Sequence, residues 1–307
     1  MNASATGLID FDWTTFDPWR IQTVRHQLSE HPLMQPDQLA ALAERFEAGA
    51  PSQIFTFNNA ATAGTNLDAA WRLHPNRKHA ADTVQRIVDA KAWLDLRHVQ
   101  ADPVYRGLLD AILDTIKPHI ERKDPGMYYR AGWIFVASPH TVTPFHIDRD
   151  HGILLQVRGC KTIYVWDADD AVVVSERARD RFHSRHELDL VQWHEEFRER
   201  AHAFHLRPGM GVYMPSTSPH MVETSDDASI SMSCTYSTYA THRNALLHVM
   251  HDVVRDVGIE PPAVGRHPLL DTMTYPCARA LVGARRFGPR ADVCPSHTRF
   301  SPYAVAD

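Results

Sequence analysis

The sequence predicts an α+β fold with a mainly β core, on three observations. The first third carries apolar residues at helical spacing. From about Met127 the chain becomes short runs of β-branched and aromatic residues cut by turn signals, and a further helical stripe follows Tyr239. Short strands without intervening helices predict an antiparallel sandwich or barrel.

Taken in order, Asp17-Pro18 reads as an N-cap with proline at the first helical position, followed by Ile21, Val24 and Leu28 on one face. Leu39, Leu42 and Phe46 repeat the spacing before Gly49. Asp102-Pro103 opens a third helix with Val104, Leu108, Ile112 and Ile116 along one stripe. The strand candidates are "MYYRAGWIFVAS", "ILLQVRG", "KTIYVWD", "AVVV", "GVYMP" and "ISMSCTYSTY". Between them lie Asp124-Pro125-Gly126, Ser138-Pro139, Arg158-Gly159, Pro208-Gly209 and Ser218-Pro219. A charged, helical insertion is expected from Arg177 to His202. Leu246, Met250, Val253 and Val257 predict a last helix ended by Gly258, and the tail beyond Pro261 reads as irregular.

Composition removes several function classes. The 307 residues are 44% hydrophobic and 22% charged, as in a soluble globular protein. A net charge of −5 with no basic run argues against nucleic-acid binding. No apolar stretch reaches membrane-spanning length. The start "MNASATGLIDFDW" lacks signal-peptide character, and four cysteines without a CxxC pair fit reduced thiols, so a cytoplasmic setting is expected.

The chemistry concentrates in "TPFHIDRDHGILLQVRGCK", Thr143 to Lys161. Three H-x-[DE] triplets occur, at His119, His146 and His194, about as often as chance gives with 20 histidines. Only His146-Ile147-Asp148 lies in a strand-like run, where residues two apart share a face. An imidazole and a carboxylate so placed suit two corners of a facial triad on Fe(II). His220, opening a strand about seventy residues downstream, is the candidate third ligand; a surface turn histidine is the alternative. Lys161 is one of only five lysines and opens "KTIYVWD" after a glycine turn. Facing inward with Ile163 and Val165 it demands an anionic partner, whereas at the hairpin end it would be solvated.

Together, T-P-x-H-x-D, a Gln-x-x-Gly-x-Lys stretch with lysine fifteen residues after the first histidine, and a distal Pro-His turn resemble the JmjC/cupin-like Fe(II)- and 2-oxoglutarate-dependent oxygenases. The layout is similar to that of the asparaginyl hydroxylase acting on hypoxia-inducible factor, and the texture to bacterial cupin-like members. The resemblance covers Trp93 to Tyr239. It implies a double-stranded β-helix (jelly-roll or cupin barrel) over residues 93–240, with the insertion near 177–202. Residues 1–92 would then be a helical region packed on the barrel, and 241–307 a helix and tail. It implies that His146, Asp148 and His220 hold Fe(II), and that Lys161 and Thr143 bind the distal carboxylate of 2-oxoglutarate. Dioxygen would be the second cosubstrate, and the outcome hydroxylation of a C–H bond in a small molecule, amino acid, peptide or protein. Gly152 stands where the family often has an asparagine near the cosubstrate, and Leu154 and Tyr164 are wall candidates. The helix from Leu246 to Val257 resembles the dimerisation segment of several relatives, with intramolecular packing as the alternative. Two rival classes are a cosubstrate-independent cupin-type metalloenzyme and a non-catalytic regulatory or sensor protein. The helical first third and the Arg177–His202 insertion are expected to border the pocket.

Overall fold

A computed structural model of the protein describes residues 7–287. Its strands are β1 Ile9–Asp10, β2 Gln22–His26, β3 Ile54–Asn58, β4 Ala92–Arg97, β5 Tyr128–Ala137, β6 Val142–His146, β7 His151–Arg158, β8 Lys161–Val165, β9 His202–Leu206, β10 Met210–Met214, β11 His220–Thr224 and β12 Ser229–Ser237. The α-helices are α1 Pro36–Gly49, α2 Ala70–Leu73, α3 Ala80–Gln85, α4 Ile87–Ala90, α5 Pro103–Ile120, α6 Glu176–Arg185, α7 Tyr239–Asp256 and α8 Pro268–Phe287.

The strands form two antiparallel sheets facing one another. One has the order β1-β2-β10-β7-β12-β5-β4-β3, the other β6-β11-β8-β9. Between them Leu154, Val212 and Met214 of the large sheet pack on Ile163, Val165, Leu206 and Val222 of the small one. Alternation sends the other residues of each strand outward. Ile230, Met232, Cys234 and Tyr236 of β12 meet α1 and α5 in the largest core, with Leu39, Leu42, Leu108, Ile112 and Ile116 buried there. Phe145, Ile147, Trp166 and Met221 on the back of the small sheet are covered by Phe182 and Phe197 of the insertion and by Val173 and Val174 of the turn before it. The layers are therefore helices, large sheet, barrel interior, small sheet and insertion. This is the jelly roll that the resemblance implies.

Four expectations are corrected. Asp17-Pro18 starts a turn and no helix: the Asp17 carboxylate accepts from Trp19 N at 2.9 Å, after which Gln22–His26 extends along β10. With β3 and β4, this makes the first third less helical than its sequence suggests. "AVVV" forms no strand, because the Asp170 side chain accepts from Val172 N at 3.0 Å and folds the run into a turn. The tail beyond Pro261 contains α8, which packs on α7. Along the predicted stripe of α7, Leu246 is buried but Val257 is exposed; the buried face also includes His248, His251 and Asp252, set against α6. Cys294 lies outside the described residues.

Candidate metal centre

β6 is an edge strand of the small sheet and pairs with β11, His220 opposite His146 and Val222 opposite Thr143. That register contains a bulge, where β6 carries one residue more than its partner. Pro144, which cannot donate to the ladder, falls in the bulge of an edge strand, where proline is tolerated. Thr143 and His146, three residues apart, thereby both oppose residues of the inner face, while Phe145 and Ile147 turn outward. Asp148 follows immediately. Its backbone carbonyl accepts from Thr217 N at 2.8 Å, and the Arg149 carbonyl accepts from Ser216 Oγ at 2.6 Å, so the loop before His220 is tied to the aspartate.

Ligand atoms of His146, Asp148 and His220 all lie within 4.8 Å of one another. The imidazole centroids are 4.1 Å apart, and His220 Nε2 lies 3.6 Å from Asp148 Oδ2. His146 Nδ1 donates to the Pro144 carbonyl at 2.7 Å and His220 Nδ1 to the Ser218 carbonyl at 3.0 Å. A carbonyl can only accept, so both Nδ1 atoms carry hydrogen and both Nε2 lone pairs are free for a metal. Burial first, then the neighbouring His220, lowers His146 to about 4, keeping it the neutral imidazole that a metal requires. Two imidazoles and one carboxylate on one side, the carboxylate partly open to solvent, fit a six-coordinate Fe(II) that keeps free positions.

Deeper in the barrel Lys161 is 5% exposed and faces inward, and its Nζ donates to Ser231 Oγ at 2.5 Å. Among the described residues it has no carboxylate partner. Lys161 pairs with Thr224 and Val165 with His220, so the lysine stands four residues, about 13 Å, along the strand from the histidine level. Between those levels the Thr143 hydroxyl accepts from the Trp93 indole at 2.8 Å, which leaves its own hydrogen to donate.

The sequence reading missed Ser231, Trp93 and the pair Asp95–Arg97 on the inner face of β4. "SISMSCTYS" did carry a signal: hydroxyls at alternate positions from Ser229 to Ser237 mark one polar face lining the barrel. Of the wall candidates, Leu154 faces the interior. Tyr164 does not; it points outward, under the Arg198 guanidinium 4.6 Å away. Gly152 pairs with Thr235 and Met214, and a Cβ there would meet only the Met214 methyl, at 3.5 Å.

The model of the Cupin-like domain family matches residues 9–242, and the chain belongs to that family. Among solved structures, the chain is similar to YcfD, a ribosomal oxygenase of Escherichia coli in complex with cobalt and 2-oxoglutarate. The identity is 14%, over 86% of this chain and 63% of that one, with a TM-score of 0.44. A second E. coli YcfD structure matches at 16% identity over 90% of this chain and 67% of the other, TM-score 0.46. A dimethylsulfoniopropionate lyase, DddQ of Ruegeria pomeroyi, matches at 16% over 34% and 37%, TM-score 0.23. At these scores the likenesses carry no weight for chemistry. A search of curated proteins returns no match. Among the described residues no helix is long and apolar enough to cross a membrane.

Proposed function

We propose that the protein is a non-haem Fe(II)- and 2-oxoglutarate-dependent oxygenase that hydroxylates a C–H bond of its substrate. The observation that carries this reading is Lys161: a buried lysine without a carboxylate partner among the described residues, reached from the His146–Asp148–His220 cluster through the interior of one barrel. An unpaired buried charge is costly, and a dicarboxylate spanning the two levels removes the cost. A metalloenzyme without a cosubstrate has no use for that lysine.

In this reading His146, Asp148 and His220 hold Fe(II), and Lys161, Ser231 and Thr143 hold the distal carboxylate of 2-oxoglutarate. The metal and cosubstrate together supply the oxidising power, taken from dioxygen, with succinate and CO₂ as co-products. The chain's own work is positional. The Pro144 and Ser218 carbonyls fix the imidazole tautomers, the Trp93 indole donates to the Thr143 hydroxyl and so leaves its hydrogen for a carboxylate, and Leu154, Ile163 and Val212 would keep water from the barrel interior. A cytoplasmic setting belongs to the same reading.

Lys161→Ala is expected to weaken 2-oxoglutarate binding by roughly a hundredfold, the cost of breaking a buried charge-assisted contact, while bound iron is unchanged. His146→Ala, Asp148→Ala and His220→Ala are each expected to lose iron. Metal content and calorimetric 2-oxoglutarate titration of the four variants check both statements. Unchanged cosubstrate affinity in Lys161→Ala would take Lys161 out of the cosubstrate site, and an iron-loaded parent that binds no 2-oxoglutarate would move the assignment to a cosubstrate-independent cupin enzyme.

A further inference from the structure

On the far face of the large sheet, away from the barrel interior, lies a buried polar group that the chemistry above does not use. His151 opens β7 three residues after Asp148 and is fully buried. Alternation puts Gly152 and Leu154 on the barrel side, so His151 shares the opposite face with Ile153 and Leu155. Its ring packs on Tyr236 and Tyr213, with centroids 5.2 and 5.9 Å away, and on Trp19 at 4.9 Å. The Tyr213 hydroxyl meets that of Tyr236 at 2.7 Å and donates to the Pro18 carbonyl at 3.0 Å, which fixes both rings. Behind the imidazole, Asp124 Oδ2 lies 3.4 Å from His151 Nε2 and accepts from the Thr238 hydroxyl at 2.8 Å. A histidine facing an aspartate inside an apolar layer carries a desolvation cost that a leucine would not. From this face the imidazole cannot itself serve as a metal ligand.

What the imidazole does reach is the turn that leads to His220. Ser216 N donates to His151 Nδ1 at 3.2 Å. The turn is closed by Ser218 N on the Pro215 carbonyl at 3.1 Å, and Arg179 Nη1 donates to the Thr217 carbonyl at 3.3 Å. Thr217 N and Ser216 Oγ tie it to the Asp148 and Arg149 carbonyls, while its Ser218 carbonyl accepts from His220 Nδ1. At its centre Thr217 has a φ of 63°, a left-handed conformation that a β-branched residue keeps only under constraint. A turn strained in this way relaxes when a tie is removed, and His220 then shifts relative to Asp148. We propose that His151 is a positioning residue of the metal centre: its Nδ1 lone pair holds the Ser216 N–H, and through it the turn that sets His220 against Asp148. Accepting at Nδ1 leaves the imidazole hydrogen on Nε2, so Asp124 backs the tautomer that the turn requires. The proposal rests on the reading of His146, Asp148 and His220 as metal ligands, and adds how the fold fixes the spacing between them.

The test is a titration of the full-length chain with Co(II), whose visible ligand-field bands report coordination geometry. Three variants separate the acceptor from the packing. His151→Asn places an amide oxygen where Nδ1 accepts, His151→Gln carries its amide one methylene farther toward Asp124, and His151→Leu offers no acceptor. His151→Leu and His151→Gln are expected to bind Co(II) about tenfold or more weakly than the parent, with shifted bands. His151→Asn is expected to stay within about threefold of the parent and to keep its bands. Denaturant midpoints are measured alongside. A packing role alone would make metal affinity follow stability, whereas the proposal has His151→Asn bind Co(II) more tightly than His151→Leu even where the leucine variant is the more stable. Parent-like affinity and bands in both His151→Leu and His151→Gln overturn the proposal, as does a loss in His151→Asn equal to that in His151→Leu. Should the leucine variant fail to fold, His151→Gln against His151→Asn makes the same decision. A parent that takes up neither Co(II) nor Fe(II) overturns the metal centre and this proposal with it. Unaltered variants of a metal-binding parent overturn this proposal alone.

Discussion

Burial at the apolar end of the barrel pushes the Lys161 ammonium from its ordinary 10.5 down to about 7. Its folded value lies below its unfolded one, so the unfolded chain binds more protons between those limits. The ligand-free fold therefore gains stability as pH rises through that window and loses it as pH falls toward 7. An anion reverses the preference, because the ion pair holds the proton on the lysine. Affinity for 2-oxoglutarate is therefore expected to fall as pH rises above about 7, by up to about tenfold per unit. Lys161→Arg, whose charge does not titrate, should give a flat profile from about pH 7 to 9. Calorimetric titration at several pH values compares the two. A parent affinity that does not change with pH would contradict the assignment of Lys161 to the cosubstrate.

At the scale of elements, β10 runs between β2 and β7, and Gly211 sits where a Cβ would lie 2.4 Å from the Leu154 carbonyl oxygen and 2.7 Å from a Val24 methyl. Gly211→Ala is expected to destabilise the fold by about 1–3 kcal/mol through overpacking. Gly107, on the exposed face of α5, has nothing within 4 Å of that position, so Gly107→Ala should stabilise by up to about 1 kcal/mol. Denaturant midpoints with unchanged slopes check the opposite signs. The same elements show what the sequence made legible. β5, β7, β8, β10 and β12 could be read because β-branched and aromatic runs were bounded by Gly and Pro turns. α1 could be read from its apolar spacing, and α5 from apolar spacing and a cap that agreed, since Asp102 does accept from Val104 N at 2.9 Å. β2, β3 and β4 escaped because they are five or six residues long and sit among helical patterns. Their strand state comes from pairing with partners as distant in sequence as β10. The site divides the same way. His146, Asp148, Thr143 and Lys161 announce themselves by local spacing, whereas Trp93 meets Thr143 across 50 residues and Ser231 meets Lys161 across 70. No local pattern encodes such contacts.

At the scale of the molecule, two covered sheets enclose one interior that is part apolar and part polar, and the chain's unusual groups gather there: a histidine pair with fixed tautomers, a buried lysine, a ladder of hydroxyls and a buried aspartate, one of whose oxygens has no hydrogen-bond partner among the described residues. The helices behind the large sheet and the insertion behind the small one hold those walls in register, and Asn66 Nδ2 donates to Asp189 of the insertion. The central claim is that metal and cosubstrate meet in this interior. It is tested most directly by adding 2-oxoglutarate to the Fe(II)-loaded protein without oxygen and recording the visible spectrum, with His146→Ala alongside. The expected result is a charge-transfer band of the chelated keto acid in the parent, absent in His146→Ala and requiring more cosubstrate in Lys161→Ala. Bound iron with no band at any cosubstrate concentration would contradict the account.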